Sequence, residues 1–202
     1  TRIEALVTLY NAGDDRLVFE TFQDGPVIRS GGAGTFAINH DATGQTQLIA
    51  WNYNKLMSAP PDPRLLPYGW FYRSTIDEVS DDILVMREVR DNLGELSEIQ
   101  LSRLNTETRE RRSLNLGIPK GTQSWLTDHD GQPRVVTARR AGRNKVFWRA
   151  PQDGEWVELA DFDPLAEPGF TPRWIDEDGS IIVTARQGSD TQGLYRLDPK
   201  SK

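Results

Sequence analysis

The sequence contains no cysteine. Disulfide bonds and thiol catalysis are therefore excluded, although this does not fix the compartment. Histidine is nearly absent, with only His40 and His129 in 202 residues. Each sits in an Asp-rich polar stretch, neither falls in a metal-ligand pattern of familiar spacing, and both read as surface turn residues. No run is apolar enough to cross a membrane. No segment carries a sustained helical period. Positive charge is in deficit: the net charge is −6, which argues against nucleic acid as the main partner because phosphate binding needs a basic footprint. The apolar fraction is a low 37%, so the six Trp and five Tyr matter to packing.

Catalytic signatures are missing as well. Gly-x-Ser-x-Gly, the strained turn that presents a hydrolase serine, does not occur. Gly31-Gly32-Ala33-Gly34 is glycine-rich, but no Lys-Ser/Thr pair follows it, so it reads as a loop before a strand and not as a phosphate cradle. Asp128-x-Asp130-Gly131 and Asp176-x-Asp178-Gly179 resemble half of a calcium loop. The other ligand positions hold Leu126 and Thr137, or Trp174 and Ala185, so hairpin turns are the better account. The basic run Arg109-Glu110-Arg111-Arg112 is diluted by acids and suits an outer strand facing water. The sequence thus predicts no catalytic residue, no metal site and no cofactor.

What is present is a repeat. Trp125-Leu126-Thr127-Asp128-His129-Asp130-Gly131 is answered by Trp174-Ile175-Asp176-Glu177-Asp178-Gly179, and each leads into a Val-Thr-Ala-Arg strand. Arg139 and Arg186, which end those strands, are 47 positions apart. A second strand follows in phase, with Arg103, Arg149 and Arg196 at intervals of 46 and 47. Asp81-Asp82 and Asp14-Asp15 stand where the later Asp-Gly turns stand. The elements read as strands: short β-branched runs bounded by Gly, Asp and Pro. One unit divides into Gln123–Thr127, Arg134–Arg139, Lys145–Ala150 and Glu155–Leu159, with Asp153-Gly154 as a further turn signal. Four short strands per unit, at a period in the forties, describe β-propeller blades.

The expected fold is therefore all-β: a partial β-propeller of about four consecutive four-stranded blades, near residues 3–51, 74–115, 122–162 and 171–202, the last incomplete. The missing strand and the open sheet edges suggest a fragment of a longer polypeptide. A Pro-rich insertion, residues 52–70, breaks the rhythm. Leu65, Leu66, Tyr68, Trp70 and Phe71 are expected to pack it onto the blades, and Tyr68 and Trp70 are its candidates for contact with a partner or substrate.

The phrase Trp-x-x-Asp-x-Asp-Gly, an apolar strand and then Leu194-Tyr195-Arg196-Leu197-Asp198-Pro199 resembles the blades of the amino-terminal propeller in prolyl oligopeptidase-like (S9-type) serine peptidases. The likeness is strongest over Thr122–Lys202, and extends through Asp77–Asn115 to Asp14–Phe19 and Phe36–Asn39. It implies a non-catalytic propeller that caps an α/β-hydrolase domain of the same polypeptide and limits access to short or unstructured peptide substrates. The adjacent Glu-Glu pair with which some members hold a substrate amino terminus is missing from this sequence. On this reading the strand before each Asp-Gly turn is innermost. Trp125, Asp128, Trp174 and Asp176 become candidates for the channel or the hydrolase interface, against the plainer roles of blade packing for the tryptophans and turn hydrogen bonds for the aspartates. TolB-like propellers, which act as protein-binding scaffolds, share a similar grammar. A propeller enzyme acting on sugars through channel carboxylates is the third reading.

Overall fold

Short β-branched and aromatic runs separated by Gly and Asp form strands throughout the computed structural model, which describes residues 8–21, 34–50, 62–76, 80–152, 154–186, 188 and 191–201. No helix occurs among the described residues. The strands group into four antiparallel meanders, each laid down in sequence order. The first holds β1 (Thr8–Ala12), β2 (Arg16–Thr21), β3 (Gly34–Asn39) and β4 (Thr46–Ala50). The second holds β5 (Trp70–Thr75), β6 (Asp82–Arg90), β7 (Leu96–Asn105) and β8 (Arg111–Ser113). The third holds β9 (Thr122–Thr127), β10 (Pro133–Arg140), β11 (Arg143–Trp148) and β12 (Val157–Phe162). The fourth has three strands, β13 (Phe170–Ile175), β14 (Ile181–Ala185) and β15 (Gly193–Leu197). This is the all-β, partial-propeller series of blade-like sheets that the repeat predicts, the last one a strand short.

The second strand of each sheet explains the apolar runs. Ile83, Leu84 and Val85 on β6 are buried, as are Val135 and Val136 on β10 and Ile181, Ile182 and Val183 on β14. A strand covered on both faces has no need of polar alternation. Among the described residues β15 is paired on one side only, and on it Leu194 is 62% exposed. Its counterparts each have a fourth strand beyond them. Two of those fourth strands carry charge at the border, Arg111 and Arg112 on β8 and Glu158 and Asp161 on β12.

The chain divides into two compact units. One comprises residues Thr1–Arg87 and Gln100–Ser113, the other Glu88–Ile99 and Leu114–Lys202. The core of the first gathers Val18, Leu48, Leu66, Trp70, Ile83 and Leu104. Tyr10 of β1 stacks on Tyr72 of β5 with ring centroids 4.2 Å apart. In the second, Val135 and Val146 meet Ile181 and Val183, with Phe162 and Phe170 packed against them. Within each unit the first strands of the two sheets lie next to each other, β1 by β5 and β9 by β13.

Strand ends shift from the sequence reading by one or two residues in β9, β10 and β11, which runs over Arg143–Trp148 instead of Lys145–Ala150, and two larger differences have a clear cause. β12 runs over Val157–Phe162 instead of residues 155–159, because β11 pairs along its length down to Asn144–Phe162 and Phe162 is drawn into the core. The second sheet opens at Trp70, inside the span read as insertion, because the buried Trp70 pairs with Arg87 of β6. Leu66 docks the end of the insertion on β4: its N–H donates to the Leu48 carbonyl, and its own carbonyl accepts from Ala50 N–H. Residues 51–61, which include Pro60-Pro61, lie outside the described residues, as do residues 31–33 and Asp153.

Candidate functional site

The polar chemistry gathers where first strands turn into second strands. Asp128 N–H donates to the Gln132 carbonyl at 2.9 Å, and Gly131 N–H donates to the Asp128 carbonyl at 3.0 Å. Asp176, Gly179 and Ser180 repeat this at 2.8 and 2.9 Å. Gly131 and Gly179 take φ of 70° and 83°. This is a hairpin loop closed by one left-handed residue, where glycine avoids the Cβ clash. The same loop recurs at Asp91–Glu95 with Gly94, and at Asn39–Thr43 with Ala42 at φ 65°. Of these last two, the sequence reading marks only the turn around His40, and it singles out neither left-handed residue.

In the second unit, the turns at Asp128 and Asp176 and the segments after β11 and β15 line a cleft of about 930 Å³. Asp128, Asp130, Asp176, Asp178, Arg134 and Arg196 are on its wall. Two of the four channel candidates, Asp128 and Asp176, are thereby brought together, and both are already engaged. Asp128 accepts from Arg134 Nε at 2.6 Å and from Gln132 N–H at 2.8 Å. Asp176 accepts from Arg196 at 2.6 Å, and the other arm of that guanidinium reaches Asp178 at 2.7 Å. The Ser180 hydroxyl and N–H, with Arg196 behind them, hold the Asp178 carboxyl below the usual carboxylate range. These aspartates therefore brace turns. In the first unit an analogous cleft of about 800 Å³ is lined by Asp14, Asp15, Arg16, His40, Asp41 and Asp81.

The two tryptophans part company. Trp125 is 6% exposed, and its indole N–H donates to the Ile99 carbonyl at 2.8 Å, so it packs β9 against the β6–β7 hairpin. Trp174, its partner in the repeat, is 48% exposed. Of the insertion candidates, Trp70 is buried with the Arg111 guanidinium 5.0 Å above its ring, whereas Tyr68 is exposed. His129 stands in its exposed turn with Asp130 3.4 Å away, and His40 is exposed in the β3–β4 turn. No group of three or more His, Asp or Glu among the described residues is arranged to hold a metal ion.

A feature of the first strands escaped the sequence reading. β5, β9 and β13 each carry a bulge, a single extra residue that the neighbouring strand does not match. The extra residues are Arg73, Gln123 and Arg173, spaced 50 positions apart. A bulge breaks the strict two-face alternation and re-aims its side chain. Gln123 Nε2 turns to the Leu96 carbonyl at 3.0 Å, and Arg173 Nε to the Thr184 hydroxyl at 2.9 Å. The spacing was the available signal, but the repeat was read from turns and aromatic-Arg strands.

No protein-family model matches the sequence, and no curated protein matches it.

Proposed function

We propose that this chain is a non-catalytic propeller region that gates access to the α/β-hydrolase domain of a prolyl oligopeptidase-like serine peptidase, admitting short or unstructured peptides. One observation carries the reading. The strand arginine that recurs in phase, as Arg103, Arg149 and Arg196, has the same physical role in two of the three sheets. Arg103 on β7 reaches back to Asp82 at 2.6 Å, and Arg196 on β15 reaches back to Asp176 at 2.6 Å. In each case an arginine of the third strand latches an aspartate at the passage from the first strand to the second. In the third sheet Arg134 takes over that role for Asp128, and Arg149 lies instead over the Trp156 ring at 4.8 Å. The motif serves blade architecture, and on this reading the contribution of the chain is selection. A blade array of this kind raises specificity by controlling what reaches a neighbouring site.

The reading frame that encodes this chain tests the proposal. An adjoining α/β-hydrolase with Gly-x-Ser-x-Gly is expected. The full-length polypeptide should cleave a short chromogenic peptide and spare the same sequence inside a folded protein, while the 202-residue chain alone turns over neither. Turnover by the pure chain, or a reading frame without a hydrolase, defeats the proposal; the second outcome leaves a protein-binding scaffold.

A further inference from the structure

Three properties meet on β13. The bulge places Arg173 outside the register between Pro172 and Trp174, so two consecutive side chains, Arg173 and Trp174, are both exposed. Regular alternation would send one to each face. The Thr184 hydroxyl on β14 then anchors the guanidinium through Nε at 2.9 Å. The two terminal nitrogens, the edge that meets a carboxylate with parallel hydrogen bonds, make no hydrogen bond or ion pair among the described residues. Elsewhere in the chain Arg143 turns this edge to the two carboxylate oxygens of Glu167, at 3.4 and 2.9 Å, whereas Arg103 and Arg134 meet their aspartates through Nε. In a protein of net charge −6, a guanidinium anchored through Nε, with its terminal nitrogens unbonded among the described residues, adjoins in sequence a half-exposed indole.

We infer that Arg173 and Trp174 form a binding position for the free C-terminal carboxylate of a peptide that ends in an apolar residue. The carboxylate meets the terminal guanidinium nitrogens, and the last side chain lies on the indole face. Anchoring through Nε limits the freedom the arginine loses on binding, which favours capture. The aromatic body of Trp174 supplies contact area at low conformational cost. This names the feature of a substrate that the gate recognises, and it rests on the gating proposal for the choice of a peptide.

The test is fluorescence anisotropy on the 202-residue chain with a labelled pentapeptide ending in Phe, as the free acid and as the amide. The free acid is expected to bind about tenfold or more tightly than the amide, the scale of a charged hydrogen-bonded contact. Arg173→Gln should lower the free acid to the level of the amide. Arg173→Lys should restore only part of the difference, because it keeps the charge and loses the fork. Arg73→Gln, at the bulge of β5, should change nothing, and unaltered melting temperatures will show that each variant is folded. Equal binding of acid and amide overturns the inference. So does loss through Arg73 instead of Arg173, or equal binding of an amidated peptide with an internal Asp. The gating proposal fails separately. Arg173-dependent binding in a protein without a hydrolase leaves the carboxylate site standing, whereas a full-length peptidase that binds and cleaves acid and amide alike keeps the gate and removes the site.

Discussion

Arg16 shows how a single charge is tolerated in a core. It is 7% exposed, and its donors meet neutral acceptors: the hydroxyl and carbonyl of Thr106, each at 3.1 Å, and the Asn39 side chain. A buried cation persists only where its donors are satisfied. Arg16→Met should cost about 3 kcal/mol in urea denaturation, because it leaves the Thr106 carbonyl without a donor. Tyr72 makes a different prediction. Burial, with Tyr10 stacked beside it, pushes its phenol up to about 12. The unfolded chain releases that proton near 10.0. The stability linked to Tyr72 is thus intact below pH 10 and is lost as pH climbs towards 12. Absorbance titration should show one late phenol, and Tyr72→Phe should remove both the late phase and this part of the alkaline destabilisation. Neither residue stood out in the sequence, since each depends on a partner on another strand. Trp125 and Trp174 make the same point: identical motif positions gave one buried indole and one exposed.

At the level of elements, the left-handed residues of the hairpin loops were legible where Asp-Gly marked them and hidden elsewhere. Asp130-Gly131 and Asp178-Gly179 announce the left-handed residue. Asn39–Thr43 closes the same way with Ala42 at φ 65°, and no residue type betrays it. A reciprocal pair of variants follows. Ala42→Gly should stabilise by about 0.5–1 kcal/mol, the relief of a left-handed Cβ less the extra freedom of glycine in the unfolded chain. Gly179→Ala should cost about 1 kcal/mol, all of it backbone, because a Cβ there meets no atom within 4 Å. Thermal denaturation of both variants checks the signs. Bulges were illegible for another reason: an extra residue exists only relative to the strand opposite, so Arg73, Gln123 and Arg173 look like ordinary strand positions until the registers are known.

For the molecule as a whole, the period of the sequence carried the fold class, and chain order carried the sheet topology, because each meander is built locally from neighbours in sequence. The division into two units was not legible, since it runs through the second sheet and depends on which core each half of the β6–β7 hairpin joins. Separate cores predict separate responses. Leu48→Ala should cost about 3 kcal/mol and speed amide exchange chiefly in the first unit, while Val183→Ala should do so chiefly in the second. Exchange that rises evenly through both would refute this independence. For the 202-residue chain on its own, the outer border of β15, which has no partner strand among the described residues, has a consequence. Its backbone donors and acceptors form a template, and Leu194 gives an incoming strand a greasy seat where β8 and β12 offer charge. Concentrated solutions should therefore grow laterally by adding strands there, and Leu194→Lys should stop that growth at its seed.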